Sequence, residues 1–214
     1  MASLFEFDET GEKEKQFKLY KFLLNKYGEI INKNETKTIG EIKALIDPND
    51  LTVQAILEEI RPIDFVFEKN YWDCAQKAFE FSCKEIEFVE SGIDLNFWLA
   101  PKEIMELRIS DDEDFAVFLC TLLSALGDEN AFVVISQMDN LTTHAFVITE
   151  FGEKFLLLDP SQKHSFEEFS GKKIEAMQKY SFKGAKIKKF LYKFNNKEYD
   201  QFLATDESAI DEKL

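Results

Sequence analysis

The sequence predicts an α+β fold: one buried helix packed against an antiparallel sheet of about four strands, preceded by a helical extension. Three observations carry this. Residues 115–126 (FAVFLCTLLSAL) are apolar on nearly every side, the mark of a helix buried all round. Two alternating runs follow at 131–137 and 143–150, and a third at 154–158, each with the period of a strand. Between the last two, Glu150-Phe151-Gly152-Glu153 supplies a turn, so they read as an antiparallel hairpin.

The remaining elements follow in order. Residues 1–11 form a short acidic lead-in. Residues 12–27 place Phe17, Tyr20, Leu23 and Leu24 at helical spacing, and Gly28 is positioned to end the run. A polar loop is expected over 32–37. Thr38 can cap a short helix through Ile46, stopped by Asp47-Pro48, and 51–60 reads as a second short helix cut at Arg61-Pro62. Residues 70–89 form a long helical pattern with Trp72, Ala75, Phe79, Ser82, Cys83 and Ile86 on one stripe. A loop carrying Trp98 follows, then a short helix opened by Pro101. Ser110 and Glu113 fit a capping box, which starts the buried helix near Asp111, and Gly127 is placed to end it. After Asp159-Pro160-Ser161, His164 is expected at the surface. Residues 172–178 read as a helix, 186–194 as a strand with a wet lysine face, and 197–204 as a last helix. The expected organisation is a helical extension over 1–64, a core domain over 65–204 and an acidic tail over 205–214.

Composition bounds function. A net charge of −15 disfavours nonspecific binding to nucleic acid or anionic membranes. There is no basic-then-apolar leader pattern and no apolar run of about 18 residues. Three cysteines without CxxC spacing read as reduced thiols rather than a disulfide framework or zinc site, so a cytoplasmic protein is expected. The expected partner is a protein or peptide, with no cofactor.

One constellation carries chemistry. If the hairpin turn centres near Gly152, His144 lies opposite residues 159–161 and can meet Asp159. Asp111, Asp112, Glu113 and Asp114 sit in the first turn of the buried helix, where acids complement the helix dipole. Asp112, His144 and Asp159 also offer oxygen and nitrogen donors that suit Mg²⁺, Mn²⁺ or Zn²⁺, though no spacing motif supports a metal site.

These residues carry a resemblance. Asp112-Glu113-Asp114-Phe115-Ala116, then Thr143-His144-Ala145-Phe146-Val147, then Leu158-Asp159-Pro160, with Phe97-Trp98-Leu99-Ala100-Pro101-Lys102-Glu103 upstream, resemble the motifs of transglutaminase-like domains. The resemblance covers roughly residues 65–160 and implies a papain-like fold with a Cys-His-Asp triad. It also implies that Trp98, Asp111 and Asp114 border a cleft. Aligned on Asp114-Phe115-Ala116, the nucleophile position holds Asp112, not Cys. Cys120 is eight residues further along the same helix, roughly 12 Å up its axis, too far to substitute.

The expectation drawn from this is a catalytically inactive protein-binding module, with His144 held protonated between Asp112 and Asp159. The alternative is an active acyl-transfer or amide-hydrolysing enzyme with a non-standard nucleophile or a metal at those three residues.

Overall fold

The computed structural model describes residues 9–90 and 97–202. The expected lead-in before residue 9, most of the loop before Trp98 and the acidic tail lie outside them. The chain divides into two compact units, residues 1–36 with 91–97, and residues 37–90 with 98–214.

In the first unit, helix α1 spans Glu9–Glu35. It runs through Gly28 and through part of the stretch expected as a loop. One glycine inside a helix costs only about 1 kcal/mol, and Tyr27, Glu29, Ile30 and Ile31 continue the helix on either side.

The second unit opens with α2 (Ile39–Ala44), which Thr38 and Glu41 close with the expected capping box. Helix α3 (Leu51–Ile60) is capped by Asp50 and buries Val53, Ile56, Leu57 and Ile60, one helical stripe. Helix α4 (Phe67–Glu85) buries Tyr71, Cys74, Ala75, Ala78, Phe79 and Ser82. It ends four residues earlier than the pattern suggested. Ile86 turns extended, and Glu87–Phe88 become strand β1, parallel to β2 (Ile109–Ser110). Helix α5 (Pro101–Leu107) has Pro101 in its first turn and stops at Arg108, whose φ is 59°.

Helix α6 (Asp112–Ala125) is buried from Asp114 to Leu123, and Gly127, with φ 99°, takes the left-handed conformation that ends it. The cap differs from the sequence reading. Asp111, not Ser110, accepts the Asp114 N–H, while the Ser110 hydroxyl donates to the Asp111 carbonyl. A carboxylate one residue closer to the turn makes the cap that the serine would have made.

Strands β3 (Phe132–Met138), β4 (Thr143–Phe151) and β5 (Lys154–Leu158) follow, then a 3₁₀ turn over Pro160–Gln162. Short strand β6 (Ser170–Gly171), helix α7 (Lys173–Lys179), and strands β7 (Ile187–Phe194) and β8 (Tyr199–Gln201) complete the described chain. The sheet has six antiparallel strands in the order β6-β5-β4-β3-β7-β8. The two strands beyond the expected four are short edges. One replaces the predicted last helix: Asn195 accepts the Lys197 and Glu198 N–H groups, and this tight turn returns Tyr199–Gln201 onto β7.

Residues on one face of the sheet, among them Val133, Ala145, Val147, Leu156 and Leu158, join α3, α4 and α6 in one core. Val134, Phe146, Ile148, Phe155 and Leu157 face the other way and join α7 in a second. Covering on both faces explains why β4 is buried at six consecutive positions. The fold is therefore α+β with a central helix on an antiparallel sheet. No helix among the described residues is long and apolar enough to cross a membrane.

Candidate functional site

The site lies where the N-terminus of α6 meets the start of β4. Strand parity points His144 to the same face as Phe146 and Ile148, the α7 side, while α6 packs on the opposite face. The two meet because β4 begins beside the first turn of the helix. The Ala145 N–H donates to Asp112 Oδ2 at 2.9 Å and ties the helix end to the strand. The Ser136 hydroxyl of β3 donates to the His144 carbonyl at 3.2 Å.

The His144 ring, 1% exposed, stands between two carboxylates: Nδ1 is 2.8 Å from Asp112 Oδ2 and Nε2 is 2.9 Å from Asp159 Oδ2. These contacts differ in kind. The one to Asp159 is an aligned hydrogen bond. Asp112 stands off the N–H direction, so Nδ1 has a close counter-charge and no aligned acceptor. Asp112 itself is 18% exposed at its side chain and is the part of the trio that solvent reaches.

Asp159 is saturated. Its Oδ2 accepts from His144, from the Tyr180 hydroxyl at 2.7 Å and from Gln162 Nε2 at 2.8 Å. Its Oδ1 accepts from the Ser161 N–H and hydroxyl, and its own N–H donates to His164 Nε2. His164 is thus half-buried rather than fully exposed. It lies between Phe79, tilted at 33°, and Phe169, edge-on, and its Nε2 accepts the Asp159 N–H while Nδ1 meets the Ser165 carbonyl. The sequence signal for this was its distance of five residues across the Asp159-Pro160 turn. Gln162 is closer still, in the turn that Asp159 caps, whereas Tyr180 and Phe182, whose ring stacks on His144, carry no such signal, since they arrive from separate elements.

The other candidates fall elsewhere. Asp111 is the helix cap. Asp114 is fully buried and accepts the Leu99 N–H at 2.9 Å, which pins the stretch before α5. Trp98 sits edge-on to Phe194. Asp112, His144 and Asp159 come together, but the carboxylates lie on opposite edges of one imidazole and do not converge on a common point. Among the described residues no group of three His, Cys, Asp or Glu side chains is placed to hold a metal ion.

Burial lowers the proton affinity of His144, but the contacts to Asp112 and Asp159 outweigh it and lift its pKa to about 9. Burial raises Asp112 and Asp159, and the pairing with His144 outweighs it and holds both below the ordinary range. Burial and then the Asp112 charge push Glu113 up to about 8; burial and then Asp111 do the same for Asp114.

These shifts predict how stability depends on pH. His144 gains proton affinity on folding from 6.5 to about 9, so its contribution is complete below 6.5 and lost as pH rises through about 9. Glu113 and Asp114 also bind protons more tightly when folded, so they lose stability between their ordinary values of 4.5 and 3.8 and about 8. Asp112 and Asp159 act in the opposite sense, at more acid pH. The melting temperature is expected to fall by at least about 5 °C between pH 6 and pH 9. A flat or rising profile by calorimetry across that interval contradicts the charge assignment.

No protein-family model matches the chain, and no curated protein matches its sequence. Solved structures do. A proposed cysteine protease from Cytophaga hutchinsonii matches at 14% identity over 59% of this chain, with a TM-score of 0.41. The match covers 44% of that protein's length. LapG of Legionella pneumophila matches in its EGTA-treated form at 13% identity over 80% of this chain and 89% of that one, TM-score 0.44. Its calcium-bound form matches at 14%, over 79% and 89%, TM-score 0.44.

Two expectations are corrected. The catalytically silent binding module does not stand. The trio is held in contact, and Asp159 is supplied with a full set of donors that fix the ring between the two carboxylates. The cytoplasmic placement, read from the cysteines, is withdrawn as well. The cysteines could not have fixed it. Burial raises all three thiols, Cys83 to about 12, and encloses Cys74 and Cys120 in the core, so their being unpaired carries no signal of compartment.

Proposed function

We propose that this protein hydrolyses amide bonds in a protein or peptide, with Asp112 as the base and His144 as the acid. The observation that carries the reading is the pair itself: an ionised, solvent-reaching carboxylate 2.8 Å from an imidazolium nitrogen that lacks an aligned acceptor. The amide substrate class comes from the resemblance of the three sequence motifs to transglutaminase-like domains, whose nucleophile position Asp112 occupies.

The step balances without a covalent intermediate. Asp112 takes a proton from water as the oxygen adds to the substrate carbonyl carbon. His144 Nδ1 donates its proton to the amide nitrogen as the C–N bond breaks, which yields a carboxylic acid and an amine. The proton on Asp112 then passes to Nδ1 and restores the pair. Asp159, saturated with donors, holds the ring and never takes the proton. The N-terminal end of α6 offers a positive dipole to the charge that develops on the carbonyl oxygen.

The test is digestion of an unfolded protein and a peptide mixture in ¹⁸O-water, with an amine donor present. New C-termini carrying ¹⁸O are expected, at a rate that declines as pH passes about 9, where His144 loses its proton. Absence of new termini anywhere between about pH 5 and pH 9 overturns the reading. Amine incorporation without cleavage redirects it to acyl transfer.

A further inference from the structure

The two carboxylates meet the His144 ring at its edges, and Phe182 covers one of its faces. The two rings are parallel within 10° and their centroids are 3.6 Å apart. Phe182 is not carried by a helix or a long strand. It starts a four-residue turn that closes through paired backbone hydrogen bonds with Ala185, and Lys183 and Gly184 at its tip take φ values of 49° and 85°. Positive φ at both central positions gives the tight primed turn that projects its flanking side chains in a fixed direction.

The turn is also tied down. Lys183 pairs with Glu90 and lies over the rings of both Phe88 and Phe182, while Phe88 meets Phe182 edge-on at 6.1 Å. Phe88 belongs to β1, whose partner β2 leads directly into Asp111 and Asp112. The segment that covers the imidazole is therefore anchored to the segment that delivers the carboxylate.

We propose that Phe182 is a positioning residue for the proposed hydrolysis: the 182–185 turn clasps its ring against His144, fixes the imidazole plane between Asp112 and Asp159, and keeps water off that face. This deepens the reading of His144 as the proton donor and rests on it. Two consequences follow from the chemistry of the contact. A protonated imidazole on an aromatic face is stabilised by the ring's quadrupole. A fixed plane also keeps Nδ1 2.8 Å from Asp112 Oδ2. The charged and titratable groups around His144 are Asp112 from α6, Asp159 after β5, Tyr180 through Asp159, and Lys183 beyond Phe182, its charge met by Glu90.

The experiment compares wild type, Phe182→Leu and Phe182→Tyr by NMR titration of His144 and by the pH–rate profile. Leucine keeps the apolar volume and removes the aromatic face. The His144 midpoint is expected to fall by about one pH unit in Phe182→Leu, a tenfold loss of proton affinity, and the alkaline limb of the rate profile to move with it. Phe182→Tyr should restore both, and kcat should suffer more than KM. A purely structural role would lower the melting temperature and leave the midpoint in place. A midpoint within about 0.3 pH units of wild type in a folded Phe182→Leu overturns the proposal. If that variant does not fold, the wild-type spectrum decides. The His144 ring protons displaced upfield by the stacked ring support the proposal, and ordinary positions refute it. The titration does not depend on turnover, so a shifted midpoint in a protein that cleaves nothing would sink the hydrolase reading and leave the positioning role intact.

Discussion

Asp112→Asn should reduce amide hydrolysis by about a thousandfold, whereas Asp112→Cys should keep the protein active and make it sensitive to iodoacetamide. The asparagine is nearly isosteric and can still accept the Ala145 N–H, so the helix end stays in place. What it removes is the base and one of the two counter-charges on His144. The cysteine tests the same position from the other side. A thiol there stands at the N-terminus of α6 beside an imidazolium, and both lower its pKa, so the thiolate can attack a carbonyl directly. Labelling should be confined to the new residue, because Cys74, Cys83 and Cys120 are held protonated by burial. An Asp112→Asn variant as active as wild type would remove Asp112 from the mechanism. A Cys variant that neither labels nor turns over would show that the cleft does not admit a carbonyl at this point.

Asp159→Ala should be among the most damaging single changes to stability, costing about 3–5 kcal/mol in urea unfolding. The carboxylate is fully buried and accepts from His144, Tyr180, Gln162 and Ser161. Alanine leaves the imidazolium half-neutralised and strands a tyrosine hydroxyl and an amide donor in a dry environment, each an uncompensated desolvation. Asp159→Asn should cost less, because it keeps an oxygen acceptor and loses only the charge. The comparison separates hydrogen bonding from ion pairing. A loss under about 1 kcal/mol for Asp159→Ala would mean that the cluster relaxes around the gap and that Asp159 is not the support described here.

Much of this arrangement was legible in the chain. The all-apolar run at 115–126 could only be a buried helix, because no face of it suits water. The Gly152 turn set the register of β4 against β5, which brings the start of β4, with His144, to the end of β5 beside Asp159. The motif resemblance then singled out Asp112 as their third neighbour. Local chemistry also gave the Thr38 cap, Pro101 opening α5 and Gly127 closing α6. Where the reading failed locally, propensity was weak: an interior glycine did not stop α1, and a stretch compatible with a helix was drawn into β8 by the edge of β7.

By itself the sequence determined the buried helix, the hairpin and the three positions that meet at their ends, because hydrophobic period and turn chemistry act over a few residues. Only the tertiary structure decided what surrounds them. Tyr180 beside Asp159 and Phe182 against His144 come from the end of α7 and a tight turn whose own sequences carry no sign of the site. Their placement follows from how the sheet is covered on its second face. That is a long-range packing outcome, and no local pattern encodes it.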